Sequence, residues 1–113
     1  MKIVLCCAGG YSTTMLMNAM KEAIDKSPKL DVDDFEFKAI SVDVLDAEVP
    51  TLDAVVLGPQ IAHKISTVEK VLGDKKVPVV VVDSTTYGKM DGALVIKKVL
   101  VEQMKIKRAQ EGK

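Results

Sequence analysis

Four short apolar runs alternate with helix-patterned stretches, and this alternation limits the fold more than any other feature of the sequence. The runs cover residues 2–6, 35–42, 54–57 and 78–82. A β-then-α order repeated along a chain predicts an α/β fold with a four-stranded parallel sheet and right-handed crossovers. The spacing predicts a first helix over 13–26, ended by Ser27-Pro28, because proline disfavours helix in the residue before it. Residues 35–42 alternate apolar and polar, as in an edge strand with one wet face. Asp43 is placed to cap a short helix reaching Glu48 and closed by Pro50. Pro59 suits the first turn of a helix, here expected over 59–72 and stopped by Gly73. The β-branched stretch 78–82 reads as a central or fully buried strand. Residues 83–90 read as a loop. Asp91 then caps a last helix that turns Val95, Ile96, Val99, Leu100 and Met104 inward. The charged residues 105–113 are expected to fray, and 31–34 form an acidic, solvated loop.

At 113 residues the chain is long enough for one core and short for two, so residues 1–113 are read as a single domain. Apolar residues make up 48%, which is too many for a disordered chain. Acidic and basic residues number 16 each, and only four residues are aromatic. With no basic stripe and no stacking platform, nucleic acid is excluded as the main partner. No apolar run approaches the roughly 20 residues of a membrane span, so no direct membrane insertion is expected. With no targeting segment read, the chain is placed in the cytoplasm, where its two adjacent cysteines stay reduced.

In open parallel sheets ligands bind beyond the carboxyl ends of the strands. Three such ends carry chemistry here: Cys7, then Gly58-Pro59-Gln60, then Asp83. The first is the most specific. Cys7 opens a turn, Ala8-Gly9-Gly10-Tyr11-Ser12-Thr13, that joins a buried strand to a helix. The amides of such a turn and the helix N-terminus converge on one spot and favour an anion there. A thiol at that spot is favoured as thiolate, so Cys7 is read as a nucleophile whose adduct carries a phosphoryl group. Cys6 points to the other side of the strand and belongs to the core. Ser12 and Thr13 are helix caps or donors to phosphoryl oxygens. Gln60 is a neutral donor facing the loop. Asp83 and Tyr87 either organise their own turn or support the site. His63, the only histidine, has no carboxylate at an orienting spacing and is read as a surface residue. The methionines at 15, 17 and 20 belong to the core or its rim.

Three motifs together resemble a known family. Cys7-x-x-Gly10-x-Ser12-Thr13-Thr14, Leu57-Gly58-Pro59-Gln60-Ile61-Ala62 and Asp83-Ser84-x-x-Tyr87-Gly88-Lys89-x-Asp91-Gly92 are similar to those of the enzyme IIB component of the lactose/cellobiose (chitobiose) class of sugar phosphotransferase systems. The resemblance spans almost the whole chain. It implies strand order 2-1-3-4, helices on both faces of the sheet, and a phosphocysteine intermediate. The family's phosphorylated cysteine falls on Cys7 and its phosphate loop on Ala8, Gly9, Gly10, Tyr11, Ser12 and Thr13. Placing Cys6 in that role would need a one-residue insertion. The resemblance also implies a IIA partner that donates from a phosphohistidine and a membrane IIC permease that holds the sugar. Free in solution, the chain is expected to be a monomer. No metal or organic cofactor is expected. The second cysteine at position 6 and the bulky Tyr11 depart from typical members.

Low-molecular-weight tyrosine phosphatases and arsenate reductases also place a cysteine between a first strand and a first helix. Their loops end in an arginine six residues later, which clamps oxyanions in two places. Thr13 stands at that position, and the only arginine is Arg108. A hydrolase also needs a base to activate water, and no histidine is near the loop in sequence. A non-catalytic regulatory module of the same fold is a second alternative. A thiol redox protein is a third, without a Cys-x-x-Cys pair.

Overall fold

The centre of the fold is β1 (Lys2–Cys7), whose interior residues Ile3, Val4, Leu5 and Cys6 are all buried from water. The computed structural model describes residues 1–7 and 11–111, with Tyr11, Ser12 and Glu111 described by their backbone alone. In it β1 pairs in parallel with β2 (Glu36–Ser41) on one side and β3 (Ala54–Leu57) on the other. Beyond β3 lies β4 (Val79–Val81), which gives the sheet order 2-1-3-4.

Alternation along the strands sorts the core into two layers. Ile3, Leu5, Ala54 and Val56 face α1 (Tyr11–Lys26) and α4 (Gly92–Glu111), meeting Leu16, Met20, Ile24, Val95, Ile96 and Val99. Val4, Cys6, Val55 and Leu57 face the other way, onto Leu45, Ile61 and the Val68 and Leu72 of α2 (Ile65–Leu72). Helices therefore cover both faces, as a parallel sheet requires. α1 and α4 pack closely where α4 begins. A Cβ on Gly92 would collide with the Ala19 backbone, so only glycine fits at that crossing. Next to it, Asp91 caps α4 by accepting the Leu94 N–H at 3.1 Å.

Several local expectations are corrected. The cap after β2 is Ser41, whose hydroxyl accepts the Asp43 N–H at 3.3 Å, so Asp43 lies inside the 3-10 turn Val42–Ala47. The helix expected over 59–72 divides in two. Pro59–Lys64 is a 3-10 turn in which buried Ile61 leaves helical geometry at φ −122°, ψ 22°, and only Ile65–Leu72 is α-helical. Gly73, at φ +60°, ends α2 by donating its N–H to the Glu69 carbonyl at 3.0 Å. The most β-branched strand, β4, is not central but lies at the sheet's edge, with Val79 and Val81 half-buried. Residues 84–88, expected in a loop, form the short helix α3 (Ser84–Gly88). α4 runs on to Glu111, past the point where fraying is expected, and leaves Met104 exposed. Of the α1 methionines, Met20 is buried, Met17 packs at the edge of the core, and Met15 is exposed.

Candidate functional site

Strand register brings the residues of interest into one row. Cys7 is level with Ser41 of β2, while Cys6 is level with Leu57 of β3 and Leu57 with Val81 of β4. Cys7 follows Cys6 at the end of β1, Gly58 is the first residue after β3, and Val82 the first after β4. Asp83 follows immediately. The strand ends that lead into Cys7, Gly58-Pro59-Gln60 and Asp83 therefore lie on one edge of the parallel sheet. α1 starts at Tyr11, four residues after Cys7, so the N–H groups of its first turn and its positive dipole end lie on the same side. Of the expected phosphate loop, Ala8, Gly9 and Gly10 lie outside the described residues. Tyr11, Ser12 and Thr13 fall in the first turn of α1, and the Thr13 side chain is buried.

The two cysteines have separate environments. Cys6 is fully buried among Val4, Leu45 and Leu57, and that burial, with Cys7 beside it, pushes its thiol up to about 12. It stays protonated and out of reach at neutral pH. Cys7 is half-buried, and its thiol, a weak donor, donates to the Ile40 carbonyl at 3.5 Å. The sequence reading of the pair, one cysteine in the core and one facing the carboxyl end, is what the strand produces.

Asp83 caps α3. Its carboxylate accepts the Thr86 N–H at 2.7 Å and lies 3.7 Å from the Lys98 ammonium. Hydrogen bonds from Thr86, and then the Lys98 charge, hold its carboxyl below the usual range. A carboxylate committed in this way organises its turn. What the turn presents is Tyr87, whose ring is buried in the α1/α4 layer and approaches Gly58. Gln60 is exposed, and its carboxamide lies over Gly58. Ser41 is not singled out from sequence, and Gly58 is read there only as part of Gly58-Pro59-Gln60 at the end of the third strand, with no role of its own. Gly58 is masked by the following Pro59, which reads as a helix start, and the only hint for Ser41 is a hydroxyl ending an edge strand.

His63 is exposed in the 3-10 turn after β3, as expected, and Arg108 is exposed in the last turn of α4. Among the described residues no group of His, Cys, Asp and Glu is arranged to hold a metal ion, and no helix is long and apolar enough to cross a membrane.

Residues 2–98 match the family model described as PTS system, Lactose/Cellobiose specific IIB subunit. The chain is 32% identical over 91 residues to the oligo-beta-mannoside-specific EIIB component of Bacillus subtilis (strain 168), covering 80% of this chain and 84% of that one. It is 33% identical over 99 residues to the galactose-specific EIIB component of Lactococcus lactis subsp. cremoris (strain MG1363), covering 83% and 88%. The solution structure of a cellobiose-specific phosphotransferase IIB component from Borrelia burgdorferi superposes with a TM-score of 0.71 at 27% identity, over 93% of each chain.

Proposed function

The chain belongs to the lactose/cellobiose-specific IIB subunits of the sugar phosphotransferase system, and on that premise we propose that it is a cytoplasmic phosphocarrier working through Cys7. The Cys7 thiolate attacks the phosphorus of a phosphohistidine on a IIA partner. The P–N bond breaks, the imidazole nitrogen keeps the electron pair, and a P–S bond forms. A hydroxyl of the sugar held by a membrane IIC permease then attacks the same phosphorus, its proton passing to a base beside the sugar, and Cys7 leaves as thiolate. Amides of residues 8–13 and the α1 N-terminus stabilise the transferring oxygens, with Ser12 and Thr13 as hydroxyl donors. Gln60, Asp83 and Tyr87 support the same end of the sheet. This chemistry asks for no metal and no organic cofactor.

The observation that carries this reading is the half-buried Cys7 at the carboxyl end of a central strand, just before a helix N-terminus. The phosphatase alternative is disfavoured by the same geometry. The residue six positions after Cys7 is buried Thr13, while Arg108 is exposed at the far end of α4. Two relatives of nearly equal identity are named for oligo-β-mannoside and galactose, which fits a sugar chosen by the permease rather than by this domain.

Intact mass after incubation with phosphoenolpyruvate, the general phosphotransferase proteins and a matching IIA tests the proposal. One added phosphoryl group, absent in Cys7→Ala, is the expected result. Release of phosphate from an aryl phosphate without any adduct would instead establish a phosphatase.

A further inference from the structure

We infer that Gly58 is a positioning residue for transfer at Cys7: its missing side chain is the seat that holds the Gln60 carboxamide beside the sulfur, where it donates to a phosphoryl oxygen. The inference rests on the phosphocarrier reading above and deepens it.

Glycine at 58 is not required by its backbone. At φ −69°, ψ 160° the residue is extended, a conformation open to every amino acid. The demand is for space. A Cβ built on Gly58 would lie 2.5 Å from Gln60 Oε1, 3.6 Å from Tyr87 Cε1 and 3.7 Å from Gln60 Cδ. The only atom it would collide with is thus the tip of a flexible, exposed side chain, and the ring stays at ordinary contact distance. Alanine at 58 would leave the fold in place and push the carboxamide off its seat. The ring of Tyr87 borders the seat, held there by α3 and its Asp83 cap.

Place and chemistry give this seat its meaning. β1 and β3 are neighbours, about 5 Å apart across the sheet, and the last pair in their register is Cys6 with Leu57, so Cys7 and Gly58 are the next residues out of the two strands. A carboxamide can donate through its nitrogen to a non-bridging phosphoryl oxygen. It carries no charge, so it helps a phosphoryl group arrive and still lets it leave to the next acceptor. The bonds made and broken remain those between phosphorus and its donor, sulfur and acceptor. Gln60 adds a hydrogen bond only.

The test is single-turnover transfer from a phosphorylated IIA to Cys7, with thermal melting and the 31P shift of the phosphoprotein read alongside. Gly58→Ala and Gln60→Ala should each slow transfer on the order of tenfold. Both should melt close to wild type and shift the 31P resonance alike. The double variant should be no slower than either single one, because both act through one carboxamide. Gln60→Glu should be slower than Gln60→Ala, since a carboxylate repels the oxygens. Wild-type rates in Gly58→Ala and Gln60→Ala overturn the inference while leaving the phosphocarrier intact. So do additive losses in the double variant, or full activity in Gln60→Glu. A wild-type chain that takes up no phosphoryl group overturns both.

Discussion

The two ends of β1 are only five residues apart and are built in opposite ways. At the amino end, Lys2 is tied on every side. Its ammonium donates to Glu48 at 2.7 Å and to the Thr51 hydroxyl at 2.8 Å, and its backbone N–H donates to the Asp53 carboxylate at 2.7 Å. Glu48 also takes Lys38 at 2.8 Å. At the carboxyl end, among the described residues, the Cys7 thiol has one hydrogen bond, to the Ile40 carbonyl, and a thiol is a weak donor. A group saturated with partners contributes to stability and is unavailable for chemistry, whereas a weakly held nucleophile is free to exchange partners. The strand keeps its stabilising charges at one end and its reactive group at the other.

The largest effect that could break this comparison lies at Cys7. Cys7→Ser should abolish phosphoryl acceptance in the intact-mass assay, while Cys6→Ser should leave it nearly intact. The reverse result would move the site one residue along the chain. Alkylation sharpens the contrast in the unmodified protein. Iodoacetamide at neutral pH should add one group to the folded chain, at Cys7, and a second only after unfolding, because Cys6 is buried with its thiol near 12. Two adducts on the native protein would mean that the cysteines are not separated as described. Cys6→Ser should also cost about 1–3 kcal/mol of stability in denaturant titration, because it puts a hydroxyl into an apolar layer.

The amino end gives the smallest effect and the opposite signature. Glu48→Gln should lower the melting temperature and leave the transfer rate untouched. Hydrogen bonds from Lys2 and then Lys38 hold the Glu48 carboxyl below its ordinary value of 4.5. The stability it contributes is present above that value and lost as the pH falls through the lowered one. Lys2 is shifted upward from 10.5, first by its hydrogen bond to Glu48, so its contribution is present below 10.5 and lost as the pH rises beyond it. Wild type should show an acid-side loss of stability that Glu48→Gln flattens. Equal slopes in the two proteins would mean that the cluster is not a stabilising clamp.

Where local chemistry decided the structure, the sequence was a sufficient guide. A proline and a glycine bracket the region of α2, an aspartate caps α4, and alternation along β1 separates Cys6 from Cys7. These are effects of one residue on its immediate neighbours. Where two nearby groups offered the same service, it was not. Ser41 and Asp43 can both cap the turn after β2, and the choice of Ser41 follows from where β2 stops pairing with β1. The split at Ile61 follows from burying its side chain in the second layer.

By itself the sequence determined the strand and helix order, the face each cysteine takes and the family to which the motifs belong, because periodicity and turn chemistry act over a few residues. The apolar pattern of β4 reads as a central or fully buried strand; the order 2-1-3-4, implied by the family motifs and present in the structure, makes it an edge strand, since hydrophobic runs record burial and not pairing order. Only packing decided that a Gly58 with an unstrained backbone leaves room for the Gln60 carboxamide next to Tyr87. That fact depends on distances between residues far apart in the chain, which no local pattern encodes.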